Sequence, residues 1–220
     1  MRRRLYLMRH AEVSYFPDGT PVRPDTVPLT ERGLEQAAAA RRALDGIAFD
    51  LVLASGLPRT LETAEVVAPG HEIERWPELD EWRGGRLSEI PPDELEQRFV
   101  GALRVSDESS RFLGGESLGE VLDRVHAALE CLLTREWDTA LAVLHGGVNR
   151  VILSYALTGG ARAYFGGFEQ APACINVLDV DGAGHWIVRA VNYAPYDPLH
   201  PARTTTMEQY WAELNARRST

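Results

Sequence analysis

Three short, unbroken apolar runs constrain the fold of this chain most strongly: LYLM at residues 5–8, LVLA at 51–54 and LAVL at 141–144. A strand with one wet face alternates apolar and polar residues. A run without alternation belongs to a strand covered on both faces, as in a parallel sheet between helices. Helical patterns fill the intervals. Residues 31–46 place Leu34, Ala37, Ala38 and Leu44 on one face, and 59–67 read as a shorter helix entered through Pro58. The clearest helix runs from 118 to about 134. There Leu118, Val121, Leu122, Val125, Leu129, Leu132 and Leu133 keep i, i+3, i+4 spacing behind a Ser117/Glu120 capping box. Another helix follows LAVL and ends near Gly159 and Gly160. Residues 173–180 and 185–191 read as partnered strands joined across DGAG, and a terminal helix starts at Thr206 with Gln209 closing a capping box. The expected class is α/β: a three-layer sandwich with a mostly parallel central sheet flanked by helices.

No internal repeat and no Gly-, Ser- or Pro-rich linker divides the 220 residues, so a single domain over 1–220 is expected. Residues 82–116 break the strand–helix rhythm. They are polar and arginine-bearing, with Pro91, Pro92 and one short helix near 92–100, and read as a cap-like insertion over one end of the sheet.

Ligands of open α/β sheets bind beyond the carboxyl ends of the strands. LYLM is followed there by Arg9 and His10, LVLA by SGLPRT with Arg59, and LAVL by His145, Gly146 and Gly147. Three strands thus deliver guanidinium or imidazole groups to one edge. Arginine forks match phosphate oxygens, and the glycines let backbone N–H groups approach an anion at a helix start. The pocket suits a phosphoryl group. Two histidines go beyond what binding needs: a neutral imidazole can attack phosphorus, with nearby guanidinium groups disfavouring its protonation, and a second can donate to the shifting oxygen charge. A leaving alkoxide also needs a proton. PELDEWRGG offers Asp80, Glu81 or both; a carboxyl beside a phosphate dianion holds its proton more tightly, and adjacent arginines oppose that.

The net charge of −9 argues against nucleic-acid or anionic-membrane partners and makes any positive field local. All 23 basic residues are arginine. Cys131 and Cys174 lack CxxC spacing and read as reduced core thiols. No HExxH or HxD cluster supports a metal, no cofactor is implied, and no apolar run is long enough for a signal peptide or a membrane span; a cytoplasmic protein is expected. Arg83, Arg86, Arg104 and Arg111 read as surface charges, His71, His126, His185 and His200 as structural or exposed, and Tyr15 and Phe16 as pocket-mouth or core aromatics.

The ordered pieces LMRHAE, PLTERGLEQA, SGLPRTLETA, LDEWRGG, GGES and LHGG resemble the histidine phosphatase superfamily, which includes cofactor-dependent phosphoglycerate mutases and small-molecule phosphatases. The resemblance covers most of residues 5 to about 150. It implies a phosphoglycerate mutase-like fold, His10 as the phosphorylated nucleophile, Arg9, Arg59 and His145 as phosphate ligands helped by the Gly146 backbone amide, and Glu81 rather than Asp80 as proton donor. Three positions depart from the family pattern: Ala11 in place of glycine, Phe16 in place of an asparagine donor, for which Thr30 is a candidate substitute, and Asn149 in place of an aliphatic residue.

The expected function is a phosphomonoesterase acting on a small phosphorylated metabolite through phosphohistidine. Two alternatives stand beside it: a cofactor-dependent phosphoglycerate mutase, against which the modest, charge-balanced insertion speaks, and a non-catalytic phosphate-binding module, favoured only by the missing asparagine. Specificity is expected from residues 82–116 and from Tyr193–His200. A homodimer is allowed but not required by the sequence.

Overall fold

The computed structural model describes residues 2–15, 17, 22–104 and 107–216. Six strands form one sheet: β1 (Arg3–Arg9), β2 (Leu51–Ala54), β3 (Ile73–Arg75), β4 (Thr139–Leu144), β5 (Ile175–Val180) and β6 (Trp186–Tyr193), in the spatial order β3-β2-β4-β1-β5-β6. β1 to β4 are mutually parallel, and only β5 runs against its neighbours. The helices are α1 (Glu31–Ala43), α2 (Pro58–Val67), α3 (Leu95–Val100), α4 (Leu118–Thr134), α5 (Gly146–Thr158) and α6 (Thr206–Ala216).

The unbroken apolar runs have the expected cause. Along β4, Ala140, Ala142 and Leu144 enter one core with α4 and α5, while Leu141 and Val143 enter a second core with α1 and α2. The strand therefore has no wet face. Ser117 caps α4 as expected, its hydroxyl accepting from Glu120 N at 3.2 Å while the Glu120 carboxylate accepts from Ser117 N at 2.7 Å. Gly159 ends α5 in the left-handed region at φ 67°.

Several expectations need correction. Of the expected apolar face of α1, Ala37 and the following Leu44 are buried, but Leu34 is 47% exposed and Ala38 half-buried; Gly33, Gln36, Ala39 and Ala40 complete the buried face. Gly33 is there because a Cβ would lie 2.3 Å from the Glu12 carbonyl oxygen. Cys131 is exposed, on the outer side of α4, whereas Cys174 is buried. The cap of α6 is one residue earlier than expected: Thr205 pairs with Glu208, Thr205 N donating to its carboxylate at 2.6 Å. β3 gave no recognisable apolar pattern because this three-residue edge strand is only partly covered.

Residues 82–116 hold α3 and two short 3-10 turns, Leu87–Glu89 and Phe112–Gly114. They have a small core of their own, Ile90, Leu95 and Leu113, with Leu87, Phe99, Phe112 and the α6 residue Trp211 packed against it. Phe99 meets Trp211 at a ring-centroid distance of 5.8 Å.

Candidate active site

Sheet register brings the two histidines together. β1 and β4 are parallel neighbours with Arg9 opposite Leu144, so His10 and His145 are the next residue of each strand. His10 N donates to the Leu144 carbonyl at 2.9 Å, and the rings meet edge to face with centroids 5.3 Å apart. Both side chains are buried, at 2% and 0% exposure. Arg9 ends β1 and Arg59 lies in the first turn of α2 just after Pro58; both arginines are buried.

His10 Nδ1 lies 2.7 Å from the Ala11 carbonyl oxygen. A carbonyl only accepts, so Nδ1 carries the proton and Nε2 keeps its lone pair. Burial, followed by the Arg59 and Arg9 guanidinium groups, holds the His10 pKa well below the ordinary imidazole value. Burial and then Arg59, His10 and Arg9 do the same to His145. The Ala11 turn is itself fixed, its N–H donating to Thr63 Oγ1 of α2 at 3.1 Å.

Arg9 Nε, Arg59 Nε and His145 Nδ1 are buried without a hydrogen-bond partner among the described residues. An unpaired buried polar group costs about 1–3 kcal/mol, so three so close together are a candidate anion-binding feature. A tetrahedral oxyanion is one group whose oxygens would satisfy guanidinium donors there. One terminal nitrogen of each arginine is already engaged: Arg9 Nη1 donates to the Gln170 carbonyl at 2.5 Å and to Thr206 Oγ1 of α6 at 3.0 Å, and Arg59 Nη1 to the Pro24 carbonyl at 2.5 Å.

Asp80 and Glu81 both line the same cavity as Arg9, His10, Arg59 and Gly146. The Glu81 carboxylate accepts from Trp82 N at 2.9 Å and from Gly147 N, in the first turn of α5, at 3.1 Å. Gly147 leaves room for it: a Cβ would lie 2.6 Å from Glu81 Oε1. The Asp80 pKa is raised, chiefly by burial and against the opposing pull of the Ser55 hydroxyl and of Arg83, Arg124 and Arg59. Arg124 of α4 clamps this loop, donating to the carbonyls of Glu78 and Asp80 at 2.7 Å each while paired with Glu116 at 2.8 Å. Buried Trp82 anchors the other side through Nε1 to the Glu116 carbonyl at 2.8 Å.

Of the expected site residues, Arg9, His10, Arg59, Glu81 and Gly146 share the cavity wall, and His145 lies fully buried against the His10 ring rather than in the wall. Thr30 does not join them: its hydroxyl accepts from Gly33 N at 2.9 Å and donates to Glu12 at 3.0 Å, which uses it as the cap of α1. Phe16 lies outside the described residues, while Tyr15 lines the cavity and stacks edge-on against Tyr210 at 5.0 Å. Residues 193–200 are not in the cavity wall, because β6 lies two strands out from β1; Thr205, Thr206, Met207 and Tyr210 take that place. Among the described residues no group of three or more His, Cys, Asp or Glu side chains could hold a metal ion, and no helix is long and apolar enough to cross a membrane.

Three contributors escaped the sequence reading. Ser55, directly after LVLA, holds His145 Nε2 through Oγ at 2.8 Å; a polar residue at a strand's carboxyl end was its signal. Arg124 had a weaker one, a basic residue interrupting a strongly apolar helix. Gln170 had none. It is fully buried in a loop, accepting from Asn149 Nδ2 at 3.1 Å and from Asn176 Nδ2 at 2.9 Å while its carbonyl holds Arg9.

Fold and site together define an α/β protein with two contacting buried histidines and two buried arginines at the carboxyl ends of its strands. The comparisons agree in kind. The sequence model of the histidine phosphatase superfamily (branch 1) matches residues 5–193, and the chain belongs to that superfamily. A probable phosphoglycerate mutase, GpmB, of Salmonella paratyphi A is 33% identical over 154 residues, covering 64% of this chain and 69% of that protein. Among solved structures, the alpha-ribazole phosphatase of Shigella flexneri superposes with TM-score 0.66 at 26% identity, over 86% of this chain and 96% of that one. A mycobacterial glucosyl-3-phosphoglycerate phosphatase superposes with TM-score 0.66 at 23% identity, over 87% and 99%; at that identity the likeness is one of fold.

Proposed function

We propose that this protein is a phosphomonoesterase that hydrolyses a phosphorylated metabolite through a phosphohistidine. The observation that carries the reading is the pairing of His10 with His145 beside unpartnered Arg9 and Arg59 nitrogens, with Nδ1 of His10 pinned by Ala11. Related proteins bear both phosphatase and mutase names, so the superfamily alone leaves hydrolysis and transfer open.

In this reading Arg9, Arg59, His145 and the Gly146 amide hold the non-bridging oxygens. His10 Nε2 attacks phosphorus in line, forming the N–P bond as the P–O bond to the alcohol breaks. Glu81 gives its proton to the departing oxygen. Water then enters opposite the imidazole, loses a proton to the Glu81 carboxylate and attacks phosphorus. The N–P bond breaks, inorganic phosphate leaves, and both residues return to their starting states. The guanidinium groups act where charge moves among the equatorial oxygens, with no reorganisation needed during the step.

The test is a rapid quench into alkaline denaturant, which preserves the N–P bond, after mixing with a 32P-labelled phosphomonoester. One labelled phosphohistidine per chain at early times, absent in His10→Ala, is expected. Rapid formation of 2-phosphoglycerate from 3-phosphoglycerate and bisphosphoglycerate would replace this reading with the mutase one.

A further inference from the structure

Resting on the phosphomonoesterase reading, we infer that the substrate is the phosphate ester of a bulky apolar or aromatic alcohol rather than of a small, charged metabolite. The cavity has a volume of about 710 Å³, within the range that encloses drug-sized ligands. Arg9, His10, Arg59, Asp80 and Glu81 line it together. Much of the wall beyond these residues is apolar. Leu87, Phe99, Leu103, Phe112 and Leu113 come from the 82–116 insertion and Met207 from α6.

This wall is preformed. Phe99, Phe112 and Leu87 pack on the insertion's own core of Ile90, Leu95 and Leu113, and the Phe99–Trp211 contact ties it to α6. A ligand covering it gains apolar burial without ordering a loop first. A three-carbon phosphoglycerate would leave most of it wet, and its carboxylate would need a cation of its own. Arg150 is committed to the Gly146 and Gly166 carbonyls and sits 3.6 Å from Glu169. Arg83 and Arg104 stand exposed at the rim, where an ion pair contributes little. Phosphate affinity anchors one end of the substrate, and the wall selects the other.

The n-alkyl phosphates from methyl to hexyl test this on the unmodified protein, because their leaving alcohols differ little in basicity and the chemical step stays constant along the series. We expect kcat/KM to rise roughly twofold to fourfold per methylene, and 1-naphthyl phosphate to exceed phenyl phosphate by tenfold or more. Leu103→Ser and Met207→Ser should each reduce the slope along the series. A flat or falling series, or faster turnover of 3-phosphoglycerate than of hexyl phosphate, overturns the apolar assignment while leaving the phosphohistidine mechanism standing. Absence of both turnover and phosphohistidine with every ester removes the underlying reading and this inference with it.

Discussion

The Gln170 backbone carbonyl lies 2.5 Å from Nη1 of Arg9, and the Gln170 side chain is held by Asn149 at 3.1 Å. A residue of α5 thus helps set the direction of a guanidinium at the end of β1. This accounts for Asn149, a departure from the family pattern that had no meaning in the sequence alone.

Asn149→Leu should therefore weaken inorganic phosphate as a competitive inhibitor by about fivefold, the worth of one hydrogen bond of about 1 kcal/mol, and raise KM with little change in kcat. Thermal stability should hold or rise, because the substitution also deletes Asn149 Oδ1, a buried acceptor without a partner among the described residues. A fall in kcat and Tm with the phosphate inhibition constant unchanged would show that Asn149 serves packing only.

Two adjacent carboxyl groups reach the cavity, and leaving groups of different basicity separate them. With an alkyl phosphate, Glu81→Gln should lower kcat by about 10²–10⁴-fold, the range for a lost general acid. With p-nitrophenyl phosphate, whose phenolate departs without a proton, the same variant should release one equivalent of nitrophenolate quickly and then stall as phosphohistidine. Asp80→Asn should show neither the contrast nor the burst. If it does, and Glu81→Gln does not, the donor is Asp80, the carboxyl whose pKa burial raises.

Acid should destabilise the fold through its own active site. His10 and His145 are held neutral when folded, with pKa values well below the ordinary 6.5. The unfolded chain then binds more protons than the folded one below about pH 6.5. Their contribution to stability is complete above that pH and is lost as pH falls toward the folded pKa values, with a limiting slope of about 1.4 kcal/mol per pH unit for each ring. Urea titrations between pH 7.5 and 5 should show the decline, and His10→Asn or His145→Asn should each make it shallower. The kcat/KM profile should have no inflection near 6.5 from His10. Equal pH slopes in wild type and both variants would mean that these rings titrate normally.

Legibility in the sequence tracked how strongly each residue's surroundings restrict its type. β1, β2 and β4 are covered on both faces and therefore read as apolar words; β3, at the sheet edge, tolerates Glu74 and Arg75 and did not. α4 announced itself through a real capping box. α1 misled because four consecutive alanines fit either face, and the buried one was chosen by the close approach of Gly33 to Glu12. In the run Thr204–Thr206, identical side chains hid which threonine caps α6. The site was legible where a chemically distinctive residue follows directly from a strand, as His10 and His145 do; Ser55, in the same position after β2, was not, because serine is common at such turns. It was opaque at Gln170, whose main-chain oxygen does the holding, since any residue type supplies a carbonyl.

Because His10 and His145 are the residues that continue two laddered neighbours, the gap between their rings is a dimension of the pleated scaffold itself. Segments outside the ladder can vary around that fixed gauge without moving either ring.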